Sequence, residues 1–144
     1  MTADTPRVVL DTNAALDWLV FADPCIQPLV EALRAGRLRW VACPAMRQEL
    51  AHMLGHASLA RWSPDAPAAL AQFDRLAEIS ATPVTNPHVG LRCRDTDDQV
   101  FIDLALAQGA RWLLTHDRAL LKLARHAAAK GLHILRPADW TQQT

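Results

Sequence analysis

VVLDTN (Val8–Asn13) reads as a short buried strand that stops on three residues able to cap a helix. Branched and aliphatic side chains favour the pleated conformation. Having apolar residues at every position, with no alternation, fits a strand covered on both faces, as in a parallel sheet. Asp11, Thr12 and Asn13 are then alternative caps for the helical stretch AALDWLVF. The same order, strand then polar junction then helix, recurs along the chain. LRWVA (Leu38–Ala42) precedes Pro44 and AMRQELAHML, and Arg111–Thr115 precedes Asp117 and RALLKLA. Strands alternating with helices through short loops predict one α/β domain over residues 1–144. Its expected form is a three-layer α/β/α sandwich around a parallel sheet of four or five strands, with Arg7–Leu10 central.

The remaining elements follow from periodicity and punctuation. PLVEALRAG is expected to be a helix ending at Gly36, and residues 56–66 a mixed connection. Ala68–Ile79 is expected to be helical, with Leu70, Phe73, Leu76 and Ala77 on one face. Between Ser80 and Arg92 the sequence allows one short irregular strand. Asp97–Gln108 and Asp117–Lys130 read as helices, and Leu132–Leu135 as the last strand.

Four acids, Asp11, Glu49, Asp98 and Asp117, fall where strand patterns give way to helix patterns. In a parallel sheet such junctions share one edge, the crevice at the carboxyl ends of the strands. Each acid alone is explained by capping, the helix dipole or solvation. Caps do not require a carboxylate, however, and four carboxylates in one crevice repel one another and resist desolvation. A hard divalent cation with oxygen ligands is the natural counter-charge. Thr12, Asn13 and Thr115 flank the acids and could orient ligating carboxylates. Asp95, Asp97 and Asp98 lie too close together for all to face the crevice, and whether Asp95 or Asp97 joins Asp98 stays open. Asp103 lies five residues past Asp98, about 140° around a helix, and is expected to be solvated.

The chain resembles the PIN domain family of ribonucleases, many of which are bacterial toxins of toxin–antitoxin pairs. VVLDTNAALDWLV is similar to the family's opening motif, RQEL to its second acid, and CRDTDDQVFIDLALAQGARWLLTHDRALLKL to its closing stretch. The last is nearest a toxin-like branch carrying Cys-Arg-Asp-x-x-Asp. The resemblance runs from about Arg7 to Leu135. It implies a metal-dependent endoribonuclease hydrolysing single-stranded RNA with Mg2+ or Mn2+. Asp11, Glu49, Asp98 and Asp117 would be the metal-site acids, with Asn13 and Thr115 as polar supports. The distance from Asp98 to Gly109 matches the family's usual spacing, which leaves Asp95 as a second contributor. An antitoxin protein is the partner it implies.

Composition sets limits on this reading. The 144 residues carry fifteen basic and fifteen acidic groups and are 51% hydrophobic, so no global basic field attracts nucleic acid. RNA affinity must come from local arginines, and Arg47, Arg94 and Arg118 are nearest the proposed acids. Thirteen arginines against two lysines fit a GC-rich genome. Cys25, Cys43 and Cys93 are too widely spaced for a disulfide framework or a zinc site and suit a reducing compartment. With no apolar run near membrane length and no signal pattern in MTADTPRVVLD, a cytoplasmic protein is expected. His52 and His56 lack the glutamate of a zinc motif, and His116 reads as a partly exposed loop histidine. Trp40 and Trp112 read as core. Trp18 and Trp62 could meet a partner, and an apolar surface around Trp18 would suit a homodimer.

Two other readings compete with the nuclease. A phosphate-transfer α/β domain is opposed by Asn13, where an Asp-x-Asp phosphatase needs its second acid, and by the absence of lysine from every strand end. A catalytically silent interaction module would keep the fold and lose crevice acids, yet all four are present.

Overall fold

The computed structural model describes residues 5–83, 91–93 and 96–144. Five parallel strands form one sheet. β1 (Arg7–Leu10) lies at its centre, β2 (Arg39–Ala42) and β3 (Ala77–Ile79) lie to one side, and β4 (Trp112–Leu114) and β5 (His133–Leu135) to the other. Val8 sits level with Trp40 on β2 and with Trp112 on β4. Val8, Val9, Trp112, Leu113 and Leu114 are wholly buried, as strands covered on both faces must be.

The helices are α1 (Thr12–Leu19), α2 (Gln27–Arg34), α3 (Pro44–Leu54), α4 (Ala66–Leu76), α5 (Gln99–Ala107), α6 (Arg118–Leu121) and α7 (Ala124–Ala128). Parallel crossovers are right-handed, so the connections β1–β2–β3 and β3–β4–β5, which run in opposite directions across the sheet, place their helices on opposite faces. The α3 helix contacts both α1 and α4, while α5 packs on β1 and β4. The result is the three-layer α/β/α sandwich. The strand order reverses between β1 and β4, which opens a crevice at their carboxyl ends.

Aromatic packing organises the core. Trp40 meets Trp18 at 5.4 Å and the edge of Phe73 at 5.0 Å, and Trp112 meets Trp140 at 5.5 Å. Trp18 is 7% exposed, so it belongs to the core and supplies no surface for a dimer, contrary to the sequence expectation. Trp62 is exposed at 41% and packs edge-on against Phe21.

Three element boundaries differ from expectation. The stretch expected to be helical to Ile79 leaves the helix at Ala77 and becomes β3 without a loop, because Ala77, Glu78 and Ile79 complete the ladder with Trp40, Val41 and Ala42. Asp97 and Asp98 belong to a 3-10 turn (Thr96–Asp98) ahead of α5. The single helix expected over 117–130 is two, turning at Lys122–Leu123 so that both halves lie against β5. Among the described residues, no helix is long and apolar enough to cross a membrane.

Candidate metal centre

Asp11 follows β1 directly and caps α1, its Oδ1 accepting the Ala14 amide at 2.8 Å. Its Oδ2 accepts the hydroxyl of Thr115, a wholly buried residue at the end of β4. The same Thr115 oxygen accepts the Asp117 amide at 2.9 Å, and Asp117 caps α6 through the Ala119 amide at 2.7 Å. One threonine therefore ties together the acids that follow the two central strands. Thr12 and Asn13 open α1; Asn13 is exposed.

Asp11, Glu49, Asp98 and Asp117 line a single cavity of about 720 Å³, with Thr12 and Asn13 on its wall. Glu49 reaches it from the exposed side of α3, and Asp98 from the turn before α5. Asp97 also lines it, while Arg94 and Asp95 lie outside the described residues. Arg47 is held at 2.8 and 2.9 Å by Asp74 on α4, and Arg118 is exposed at the start of α6; neither lines the cavity.

Asp103 lines the cavity too. It is 8% exposed, and its Oδ1 accepts Gln99 Nε2 at 3.0 Å, so the expectation of a solvated side chain fails. An angle of about 140° separates Asp98 from Asp103 only if both stand in one helix. Asp98 stands in a 3-10 turn instead, so the helical angle between them does not apply. The sequence did hold a signal: Asp103 interrupts the apolar run VFIDLALA, where a surface acid has no solvated face to occupy. Gln99, also missed, donates to the Leu91 carbonyl at 2.9 Å and accepts the Cys93 amide at 2.6 Å, fastening the segment before the turn to α5.

The electrostatics follow from this crowding. Burial raises the Asp11 carboxyl above its ordinary range, and the nearby Asp117 adds to that. Hydrogen bonds from Thr115 and Ala14 and the charge of His116 work against it. Asp117 is lowered, first by a hydrogen bond with Asp98 and then by the Ala119 and Leu120 amides. Six carboxyl groups line the cavity, Asp11, Glu49, Asp97, Asp98, Asp103 and Asp117, and no lysine, arginine or histidine does so among the described residues. A site so rich in oxygen donors and so poor in cations fits a hard divalent ion such as Mg2+ or Mn2+.

Among the described residues, a different trio brings its ligand atoms close together. Asp17, Asp23 and Cys25 each place one ligand atom within 4.8 Å of the others, beyond the cavity, near the end of α1. Its contacts are accounted for locally: Asp17 pairs with His116 at 2.5 Å, and Asp23 accepts the Cys25 amide at 2.9 Å. His116 is thus a half-exposed partner of a structural acid. His52 and His56 stand ring to ring at 6.2 Å, apart from both clusters.

No curated protein matches the chain. A family model described as PIN domain matches residues 7–119, from the first residue of β1 into α6 and across every acid of the cavity. PIN domains are generally nucleases that bind divalent metals, which agrees with a cavity of carboxylates at the strand ends, and by this match over most of its length the chain belongs to the PIN domain family.

Proposed function

We infer that the protein is a divalent-metal-dependent endoribonuclease acting on single-stranded RNA, and the toxin of a toxin–antitoxin pair. The observation that carries the nuclease reading is the convergence of Asp11, Glu49, Asp98 and Asp117 on one cavity lined by no basic side chain among the described residues. These four would hold Mg2+ or Mn2+, with Asn13 at the rim and Thr115 behind Asp11. Bound there, the ion would activate water and stabilise charge on the phosphate during in-line displacement.

The protein's own residues prepare the site. Thr115 and the Ala14 amide fix both oxygens of Asp11, so the position of this carboxylate is set before any ion binds. Asp98 and Asp117 line the same cavity, and Asp98 helps hold the Asp117 carboxyl below its ordinary range. A carboxylate must be deprotonated to ligate, so metal uptake is expected to weaken as the pH falls. The RNA backbone would be steered from outside the cavity by Arg118, with Arg47 available once it leaves Asp74, and Arg94 is a further candidate from its place in the sequence. The toxin role is supported by the resemblance of the Cys93–Asp98 segment to toxin-like members, and a reducing, cytoplasmic setting by the wide spacing of Cys25, Cys43 and Cys93.

The experiment is cleavage of several single-stranded RNAs by purified protein with Mg2+ or Mn2+, with and without chelator. Cleavage is expected with either metal and abolished by chelation, and Asp11→Asn is expected to lose far more than tenfold in rate. Undiminished cleavage by Asp11→Asn, with contaminating nuclease excluded, would leave the silent interaction module as the better reading.

A further inference from the structure

Two carboxylates of the cavity lie outside the four-acid set, the exposed Asp97 and the buried Asp103. Asp103 sits in α5 beside Phe101, Ile102, Leu104 and Ala105, each 5% exposed or less. Holding a charge in such surroundings is costly unless something compensates it. The compensation visible on the protein side is half complete. Gln99 donates to Oδ1, while Oδ2 is buried and has no hydrogen-bond donor among the described residues. Gln99 has no capacity left for the second oxygen, because its amide also holds the Leu91 carbonyl and the Cys93 amide. A carboxylate that is pinned at one oxygen and bare at the other, on the wall of an acid-lined cavity, has the arrangement of a metal ligand steadied by an outer hydrogen bond.

We propose that Asp103 is a further cation-binding residue of this cavity, taking a hard divalent ion on Oδ2 either directly or through an ion-bound water, with Oδ1 held by Gln99. The inference rests on the reading of the cavity as a cation site. It adds a ligand from the middle of α5 to the acids at the strand ends.

The test uses the full chain and Mn2+ alone, read by calorimetric titration, together with the melting temperature of the metal-free protein. Asp103→Asn keeps an oxygen for Gln99 and removes the charge. It is expected to bind Mn2+ about 10- to 100-fold more weakly than wild type and to melt, without metal, at the wild-type temperature or above. Asp103→Ser, which leaves no buried amide at the site, is expected to show the same loss of affinity and guards against misfolding of the asparagine variant. If both variants bind Mn2+ as tightly as wild type while Asp11→Asn does not, Asp103 is a structural residue and this inference alone fails. A wild-type protein that takes up no Mn2+ would overturn it together with the reading on which it rests.

Discussion

Thr115 has one hydroxyl and uses it twice, donating to Asp11 and accepting the Asp117 amide. The residue is wholly buried, so no water can replace either bond. Thr115→Val keeps the shape and removes both bonds, leaving polar groups unpaired in a dry setting. We expect it to cost about 1–3 kcal/mol in urea unfolding, whereas Thr115→Ser stays close to wild type apart from its lost methyl. Equal losses in the two variants would mean that the methyl packing matters and the hydroxyl does not. Cys25 offers a second residue-scale check. Its thiol is pushed up to about 11, first by burial and then by its hydrogen bond to Asp23 and the charges of Asp23 and Asp17. The thiolate is the reactive form, so near neutral pH the native protein is expected to alkylate at Cys25 far more slowly than the unfolded chain. Asp23→Asn should speed that reaction; mass-resolved labelling with iodoacetamide reads both.

At the scale of elements, the strand-to-helix junctions were legible in the sequence because one physical requirement produces one pattern. A doubly covered strand is apolar throughout, and its exit must cap a helix, so VVLDTN could be read as it stands. Asp11 and Asp117 were recognisable as caps for that reason, and both are. What could not be read were places where tertiary pairing overrides local pattern. Ala77 fits the apolar face of α4 and also the first rung of β3, and the ladder with Trp40 decides between them. Asp103 was misplaced because the turn at Thr96–Asp98 breaks the helical register on which its angle was counted. Gln99 explains how that turn is held: two hydrogen bonds at its buried amide fasten Leu91 and Cys93 to α5, and a third steadies the amide against Asp103. Gln99→Leu should therefore speed hydrogen exchange at the Cys93 amide well beyond any change in global stability. Unchanged exchange there would show that packing alone holds the segment. At the sheet edge, Arg39 on β2 makes a two-pronged pair with Glu78 on β3, and that hydrogen bond holds the Glu78 carboxyl below its ordinary value. A lowered carboxyl adds stability above its unfolded pKa and loses it as pH falls through the folded one. Glu78→Gln should thus lower the melting temperature near neutral pH and make little difference in strongly acidic buffer.

For the whole molecule, the decisive property is an uneven distribution of a balanced charge. Fifteen basic and fifteen acidic residues cancel overall, yet six of the acids line one cavity that no basic side chain lines among the described residues. The fold therefore concentrates repulsion at the carboxyl ends of its central strands, where Asp11 is already pushed toward its neutral form by burial. A raised carboxyl contributes stability that declines as pH rises from its unfolded pKa through its folded one, so at neutral pH the metal-free protein carries a penalty at this site. A ligand that binds the folded state alone relieves that penalty by mass action, adding about 2.7 kcal/mol at one hundred times its dissociation constant. Mn2+ is accordingly expected to raise the melting temperature steeply, and Asp11→Asn to flatten the response while leaving the metal-free protein at least as stable as wild type. Screening by salt would also ease repulsion, but without site geometry and at far higher concentration. The discriminating comparison is MnCl2 against NaCl at matched ionic strength. Equal shifts in the two salts would reduce the cavity to a patch of general negative potential, whereas a large Mn2+-specific shift that vanishes in Asp11→Asn identifies a built cation site.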